Sequence, residues 1–219
     1  MNIAVVGTGY VGLVTGTCFA ETGNNVICVD INEKKVESLK NGKIPIFEPG
    51  LDMLFERNTK EGRLHFTTNL SEAVSQSQII FLALPTPPGE DGSADLSYIM
   101  GVARDLSKII TDYKVIVDKS TVPVGTSEKV TAIISEKLST DLFDVVSNPE
   151  FLREGVAVED FMKPDRVVIG TESERARKVM RLLYEPFVRQ GNPIYFMDER
   201  SAEMTKYAAN AYLAARITF

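Results

Sequence analysis

The chain has 219 residues, of which 44% are hydrophobic and 25% are charged, and its formal net charge is −6. This composition is typical of a globular domain, and its apolar runs are shorter than the ~20 residues that span a bilayer. Because the charge is negative and the sequence has no basic stripe, we expect neither a nucleic-acid partner nor a membrane partner. The first residues resemble a strand rather than a signal peptide, so the expected location is the cytoplasm.

The residue inventory also argues against a metal site and a disulfide framework. The chain has two cysteines and one histidine, which are too few for a zinc site. Cys18 and Cys28 lie in apolar stretches and lack the C-x-x-C spacing of redox or metal motifs. We therefore expect two buried thiols and no bound metal.

Short apolar segments alternate with helical patterns along the chain. Because buried strands separated by helices pair in parallel, this alternation predicts an α/β fold with a doubly wound, mostly parallel sheet of the Rossmann type. The predicted strands are Asn2–Val6, Asn25–Asp30, Gln78–Leu84, Lys114–Asp118, Asp144–Ser147, Arg166–Gly170 and Pro193–Met197. The predicted helices are Val11–Thr22, Glu33–Lys40, Leu96–Ile110, Gly125–Lys137 and Glu174–Val188.

Two irregular segments and a final helix complete the pattern. Ile44–Leu51 and Leu84–Asp95 are rich in Pro and Gly and are predicted to be loops, the first of which leads into a short helix. An alanine-rich helix is predicted to start with a capping box at Ser201-Ala202-Glu203-Met204 and to run to the last residue. Since no stop signal follows, we expect the natural chain to continue. Residues 1–198 would then form one domain, and residues 199–219 would start a connecting helix.

A glycine-rich sequence follows the first strand and opens the first helix. It reads Gly7-Thr8-Gly9-Tyr10-Val11-Gly12. In this pattern the first glycine permits a tight turn, the second lets the backbone approach a pyrophosphate, and the third lets helix and strand pack closely. The free amides at the start of the helix favour phosphate binding. The motif therefore predicts a dinucleotide cofactor.

Asp30 ends the second predicted strand, where this fold places a carboxylate that binds the adenosine ribose. Its negative charge would oppose a phosphate on that ribose, so NAD is favoured over NADP. Lys35 lies one turn into the next helix and can reach the same end of the cofactor. A solvated surface lysine is the alternative interpretation of Lys35.

Three further stretches carry candidate chemistry. Ser120-Thr121-Val122-Pro123 follows a predicted strand, so Thr121 would place a hydroxyl in the ligand crevice. Helix capping is the alternative role for Thr121, although Thr126 or Ser127 could cap that helix instead. Glu150 and Glu154 share a face if their segment is helical, where a carboxylate pair can exchange protons. Two solvated acids are the alternative. Lys206 and Asn210 are four residues apart on the last predicted helix and therefore share one face. An ammonium and an amide placed in this way can stabilise an oxyanion.

The sequences of five stretches resemble those of one family. The UDP-glucose 6-dehydrogenase family, with its GDP-mannose and UDP-N-acetylmannosamine relatives, has similar sequences in the same order, and the resemblance covers all 219 residues. The stretches are Gly-Thr-Gly-Tyr-Val-Gly from Gly7, Ser-Thr-Val-Pro-Val-Gly-Thr from Ser120, Ser-Asn-Pro-Glu-Phe-Leu-Arg-Glu-Gly from Ser147, Pro-Asp-Arg-Val-Val-Ile-Gly from Pro164 and Asn-Ala-Tyr-Leu-Ala from Asn210.

The resemblance implies an enzyme that oxidises a sugar primary alcohol to a carboxylate with two NAD molecules. Thr121 resembles the residue that positions the catalytic water, and Glu150 resembles the acid/base residue. Glu154 falls where the family contacts both substrate and cofactor. Lys206 and Asn210 resemble the pair that stabilises oxyanions and binds the sugar.

The same resemblance implies further contacts. Phe151, Leu152 and Arg153 would line the substrate pocket. Thr86 lies where the loop after the family's fourth strand touches the cofactor, and Ser120 belongs to the matched motif beside it. A nucleotide sugar is thus the expected substrate, with UDP-glucose favoured, and a homodimer is expected for the full-length enzyme.

One departure limits the expected activity. The family's second oxidation uses a cysteine in a Cys-Phe-Pro-Lys-Asp motif that this sequence lacks, together with the family's UDP-sugar-binding domain. Cys18 and Cys28 cannot substitute, so we expect the chain alone to bind NAD without turnover. Two alternatives stay open here: a two-electron β-hydroxyacid dehydrogenase, and a non-catalytic NAD-sensing module.

Overall fold

The computed structural model describes residues 1–189 and 191–219. Within these residues, eight strands alternate with nine α-helices. The strands are β1 (Asn2–Val6), β2 (Asn25–Val29), β3 (Leu64–Thr67), β4 (Ile79–Leu82), β5 (Lys114–Asp118), β6 (Phe143–Ser147), β7 (Val167–Gly170) and β8 (Ile194–Met197). The helices are α1 (Tyr10–Glu21), α2 (Glu33–Lys40), α3 (Leu51–Lys60), α4 (Leu70–Gln76), α5 (Ser97–Ile109), α6 (Thr126–Ser135), α7 (Ala157–Met162), α8 (Glu174–Tyr184) and α9 (Glu199–Thr218), with 3₁₀ turns at Thr140–Leu142 and Glu185–Phe187.

The strands form one sheet in the order β3-β2-β1-β4-β5-β6-β7-β8. The strands from β3 to β6 pair in parallel, β6 and β7 pair antiparallel, and β7 and β8 are again parallel. The predicted doubly wound, mostly parallel Rossmann-type sheet is therefore confirmed. The chain order reverses between β1 and β4, and in such sheets ligands bind outside the carboxyl ends of the strands at this point.

Helices cover both faces of the sheet, so the central strands are buried on both sides. In β1, Ile3 and Val5 pack into one apolar cluster, while Ala4 and Val6 pack into the other. The first cluster includes side chains from α1, α3, α7 and α8, and the second includes side chains from α4, α5 and α6. This layering explains the continuous apolar strands in the sequence.

The start of α9 packs on the domain rather than leaving it. Gly170 permits this, because a Cβ there would lie 2.5 Å from the Ala202 Cβ. Glu203 is buried and accepts hydrogen bonds from the backbone N–H of Gly125 at 2.5 Å and from the N–H and hydroxyl of Ser127 at 2.7 and 2.8 Å. Its carboxylate therefore caps α6 across 76 residues or more, where the helix dipole favours negative charge.

This contact corrects two sequence predictions. The capping box at Ser201 is wrong, because α9 begins at Glu199 and Asp198 accepts the Ser201 N–H at 2.9 Å. Neither Thr126 nor Ser127 caps α6 with its own side chain, since the N-cap is Gly125 in a left-handed conformation. The remote Glu203 carboxylate takes over that task.

Other differences lie in short or irregular segments. The sequence patterns missed β3, α4 and α7, and the helix predicted to run to Val188 ends at Tyr184 in a 3₁₀ turn. Glu150 and Glu154 do not share a helical face, because the structure has no helix within residues 148–156. Among the described residues, no helix is both long enough and apolar enough to cross a membrane.

Candidate functional site

A cleft of about 700 Å³ runs across the carboxyl ends of β2, β1, β4 and β5. We call it the first cleft. Asp30 and Lys35 line one end, the glycine-rich sequence lines the middle, and Thr121 and Glu150 line the other end. The position matches the switch point of the sheet, where the predicted dinucleotide site should lie.

The glycines of the first cleft act through backbone geometry. Gly7 has φ of +102°, and a Cβ there would lie 2.2 Å from the Ala83 carbonyl oxygen. A Cβ on Gly12 would lie 1.9 Å from the carbonyl oxygen of Gly7. A Cβ on Gly9, by contrast, meets no atom within 4 Å among the described residues. Gly9 is also the N-cap of α1, so open space lies in front of the helix N-terminus, as phosphate binding requires.

Asp30 is held in place at the far end of this cleft. It accepts hydrogen bonds from the Thr8 N–H at 3.1 Å, the Thr8 hydroxyl, the Asn32 N–H at 3.0 Å and the Lys35 ammonium at 3.0 Å. Burial alone would raise the pKa of Asp30, but these donors outweigh it and leave the pKa below its usual range. The group is thus an ionised acceptor facing the cleft, and Lys35 is its ion-pair partner.

The loops after β4 and β5 form another part of the wall of the first cleft. The Ser120 hydroxyl bridges to the loop after β4, because it accepts from the Leu84 N–H at 3.0 Å and donates to the Leu84 carbonyl at 2.9 Å. The Thr86 hydroxyl donates to the carbonyl of Thr121 at 3.0 Å. Thr86, Ser120 and Thr121 all line the first cleft, so the two loops are locked together as one wall.

A second cleft of about 610 Å³ opens on the other side of Glu150. Glu150 Oε1 accepts a 3.0 Å salt bridge from the Lys206 ammonium, and its Oε2 accepts from the Leu152 N–H at 2.6 Å. The side chains of Glu150 and Lys206 are only 12% and 10% exposed. Because Glu150 lines both clefts, this ion pair lies where molecules bound in the two clefts would meet.

The remaining predicted residues lie around the second cleft. Phe151, Leu152, Arg153 and Asn210 line it, and the Lys206 ammonium lies 5.5 Å from the centre of the Phe151 ring. Arg153 is held by Asp160 through contacts of 2.6 and 3.0 Å, although its side chain is 75% exposed. Glu154 is exposed and, among the described residues, is outside the lining of both clefts.

Lys119 is a member of this site that sequence reasoning missed. It follows β5, is only 4% exposed and lines both clefts. Its ammonium donates to Asn148 Oδ1 at 3.3 Å. Burial lowers the pKa of Lys119 to about 8; Glu150 opposes this shift and Lys206 adds to it. A charged residue at the end of an apolar strand was the signal that could have revealed it.

Asn148 organises the floor beneath these groups. Besides accepting from Lys119, its Oδ1 accepts from the Tyr184 hydroxyl at 2.5 Å, and its amide donates to the Val168 carbonyl at 2.8 Å. It thereby fixes the loop that carries Glu150. No sequence pattern marked this role, because its partners come from α8 and β7.

Glu48 is a second residue that the sequence patterns did not reveal. It is buried in the predicted loop before α3 and accepts from the Tyr10 hydroxyl and from the N–H groups of Gly155 and Ala157, both at 2.8 Å. Burial acts to raise the pKa of Glu48, but these donors outweigh it and lower the pKa. The carboxylate connects the glycine-rich sequence to the segment that lines the second cleft.

Both cysteines are buried, as predicted. Burial raises the pKa of the Cys28 thiol to about 12, and burial followed by the charges of Glu21 and Glu48 raises the pKa of Cys18. Thiols in this state do not supply the thiolate that a nucleophile requires.

Comparison with known families decides how this architecture is classified. A model described as the UDP-glucose/GDP-mannose dehydrogenase family, NAD binding domain, matches residues 1–188. The chain belongs to this family. The match identifies it with the family's NAD-binding domain, and the geometry of the first cleft fits that cofactor: an open helix N-terminus behind Gly9, and an ionised Asp30 at the ribose end.

Individual members of the family are similar along the whole chain. The chain is 50% identical over 222 residues to the UDP-glucose 6-dehydrogenase of Rhizobium meliloti (strain 1021), covering 100% of this chain and 51% of the relative. It is 51% identical over 219 residues to the UDP-glucose 6-dehydrogenase TuaD of Bacillus subtilis (strain 168), covering 100% and 47%. The chain therefore spans about half the length of the curated relatives it matches.

A solved structure of the family has the same fold. The ternary complex of GDP-mannose dehydrogenase from Pseudomonas aeruginosa superposes with a TM-score of 0.94 at 36% identity, over 100% of this chain and 51% of that chain. The family match supports NAD as the cofactor and does not favour the alternative of a β-hydroxyacid dehydrogenase.

Proposed function

We propose that this chain supplies the NAD half of a nucleotide-sugar 6-dehydrogenase, which oxidises the primary alcohol of UDP-glucose to a carboxylate. The observation that carries the proposal is the Glu150–Lys206 ion pair at the meeting point of the two clefts. One cleft accommodates the dinucleotide, and the other leaves space for a sugar beside charged groups. The relatives named UDP-glucose 6-dehydrogenase support UDP-glucose over other nucleotide sugars.

The residues divide the work by position. NAD held in the first cleft would supply a hydride acceptor, and converting a CH₂OH group to a carboxylate requires two NAD and one water. Glu150, held by the Lys206 ammonium, would exchange a proton with that water, and the Thr121 hydroxyl would orient it. The Lys206 ammonium and the Asn210 amide would stabilise negative charge that develops on the sugar oxygen.

The proposal separates binding from turnover. The family's second oxidation uses a cysteine nucleophile, and neither Cys18 nor Cys28 can supply its thiolate because both are buried. We therefore propose that the 219-residue chain binds NAD but does not complete the oxidation of UDP-glucose to a carboxylate by itself. A homodimer of the whole protein, and contacts of Glu154 with substrate and cofactor, remain predictions from the resemblance.

The test uses NADH absorbance and calorimetry. The whole protein that contains this chain should produce two NADH per UDP-glucose, and should oxidise GDP-mannose and UDP-N-acetylmannosamine more slowly. Replacing Lys206 with Met should lower kcat at least ~100-fold, the usual scale for a lost oxyanion donor, while NAD binding is retained. If another nucleotide sugar is oxidised faster than UDP-glucose, the proposed substrate is wrong. A chain that binds no NAD would contradict the cofactor site itself.

A further inference from the structure

The most unusual charge in the site is the ammonium of Lys119, which the proposed reaction leaves without a role. Lys119 is almost completely buried, and a lysine is seldom buried unless an opposite charge pairs with it. Among the described residues, no carboxylate lies within salt-bridge distance of Lys119, and its polar partner is the neutral amide oxygen of Asn148 at 3.3 Å. The Phe161 ring lies against it, with its centre 5.6 Å from the ammonium.

The charges around Lys119 do not cancel. Three ionisable groups meet where the clefts join: Lys119 after β5, Glu150 after β6 and Lys206 on α9. Glu150 is matched by Lys206 at 3.0 Å. The ammonium of Lys119 is therefore an excess positive charge in a region of low solvent exposure, where charges interact more strongly than in water.

The position of this charge relative to the cofactor follows from the strand order. Asp30 ends β2 and takes the adenosine end of the dinucleotide, while Gly9 before α1 faces the pyrophosphate. The other end of the first cleft lies beyond β4, at Lys119 and Thr121 after β5. The nicotinamide end of the cofactor therefore lies on the Lys119 side.

We propose that Lys119 sets the redox preference of the cofactor site: its ammonium favours the reduced, neutral nicotinamide over the oxidised, cationic one. The oxidised ring carries a positive charge that the ammonium repels, whereas the reduced ring carries none. The same charge stabilises negative charge on a substrate oxygen beside it. The inference rests on the proposed function, because it requires NAD to occupy the first cleft in this direction.

The pH dependence follows from the same geometry. Because burial lowers the pKa of Lys119 to about 8, its charge should disappear as the pH rises from 7 to 9.5. The ionisable groups that face it are Glu150, Lys206 and Tyr184. Burial raises the pKa of Tyr184, so this hydroxyl does not titrate between pH 7 and 9.5. Asp118, the preceding residue, interacts instead with Glu203, and burial raises its pKa to about 7. It therefore needs its own control.

The experiment measures the affinity of the 219-residue chain for both coenzyme forms. Since the chain has no tryptophan, NADH fluorescence reports NADH binding directly, and displacement of NADH reports NAD⁺ binding. The quantity compared is the dissociation constant for NAD⁺ divided by that for NADH. In Lys119→Met this ratio should fall roughly tenfold, as expected from loss of one partly screened charge nearby. A matched variant, Lys35→Met at the adenosine end, should change both affinities by the same factor.

The pH series provides the independent readout. In the unaltered chain the ratio should fall between pH 7 and 9.5 toward the value of Lys119→Met, and in that variant it should stay constant. The decline should persist in Asp118→Asn, which removes the other group that titrates nearby. If Lys119→Met does not fold, the series in Asp118→Asn decides, and a ratio constant from pH 7 to 9.5 overturns the inference.

Two further results have distinct meanings. A folded Lys119→Met chain that binds both forms with an unchanged ratio overturns the role of Lys119 but leaves the proposed function intact. An unaltered chain that binds neither form contradicts the cofactor site and removes this inference with it.

Discussion

The two clefts of this domain are built by different means. The first cleft is defined by backbone: three glycines, a helix N-terminus and strand ends that are adjacent in the sheet. The second is defined by charged side chains whose positions depend on contacts between distant segments, such as Glu150 with Lys206. A substitution at a glycine of the first cleft should therefore act sterically and locally, whereas a substitution at a charged residue of the second should act through charge and at a distance.

The sharpest contrast lies between two glycines of the glycine-rich sequence, Gly12 and Gly9. In Gly12→Ala the new Cβ would lie 1.9 Å from a backbone oxygen, so the domain should lose more than about 3 kcal/mol or fail to fold. In Gly9→Ala the Cβ meets open space, so stability should be retained while NAD affinity falls at least ~10-fold, because the methyl group occupies the cofactor's place. Thermal unfolding and calorimetric titration measure the two effects. Equal loss of stability in both variants would contradict the steric argument.

The docking of α9 is the next largest effect. Glu203→Gln replaces a carboxylate that accepts from Gly125 and Ser127 by an amide that can accept through one atom only. The expected loss is about 2 kcal/mol, typical of buried hydrogen bonds to a charge. Denaturant midpoints at constant m-value give this number.

Glu128→Gln is the matched control for Glu203. Glu128 lies on α6, the helix that Glu203 of α9 caps, but its ion pair with Arg200 is exposed, so the midpoint should change much less. Equal shifts in both variants would show that burial of the carboxylate is not the cause.

Glu48 connects the two clefts and gives a pH-dependent effect. Because its pKa is lowered in the folded chain, ionised Glu48 stabilises the fold above the ordinary pKa of a glutamic acid, and this stability is lost as the pH falls through the folded value. Glu48→Gln should therefore be less stable at pH 7 by about 1 kcal/mol or more. Its deficit should shrink toward low pH. Unfolding midpoints across pH 3–7 (roughly the carboxyl range) test this, and a constant deficit would contradict it.

The last prediction concerns the choice of cofactor and changes binding rather than stability. Asp30→Asn removes the charge that opposes a phosphate on the adenosine ribose, so the preference for NAD over NADP should fall roughly tenfold, about 1.4 kcal/mol. Lys35→Met serves as the comparison, because it leaves the carboxylate in place and should increase the preference for NAD. Affinities for both dinucleotides by calorimetry give the result. An unchanged preference in Asp30→Asn would show that the carboxylate does not face the ribose.

The sequence by itself determined the sheet apart from β3, the glycine-rich sequence with Asp30, and the helix that carries Lys206 and Asn210, because their patterns are local. Strand and helix periodicities, and the steric need for glycine, are properties of a few neighbouring residues. The resemblance to one family rested on equally short stretches of sequence.

Only the tertiary structure decided which side chains meet. Lys119, Asn148, Glu48 and Glu203 take their roles from partners brought close by the fold, as when Glu48 reaches Gly155 across 107 residues. The shared face that Glu150 and Glu154 would have on a helix is absent for the same reason: Asn148 and Lys206 fix Glu150 on an irregular loop instead. Buried charges are positioned by the whole packed core, and no local pattern records which of them remain without a counter-charge.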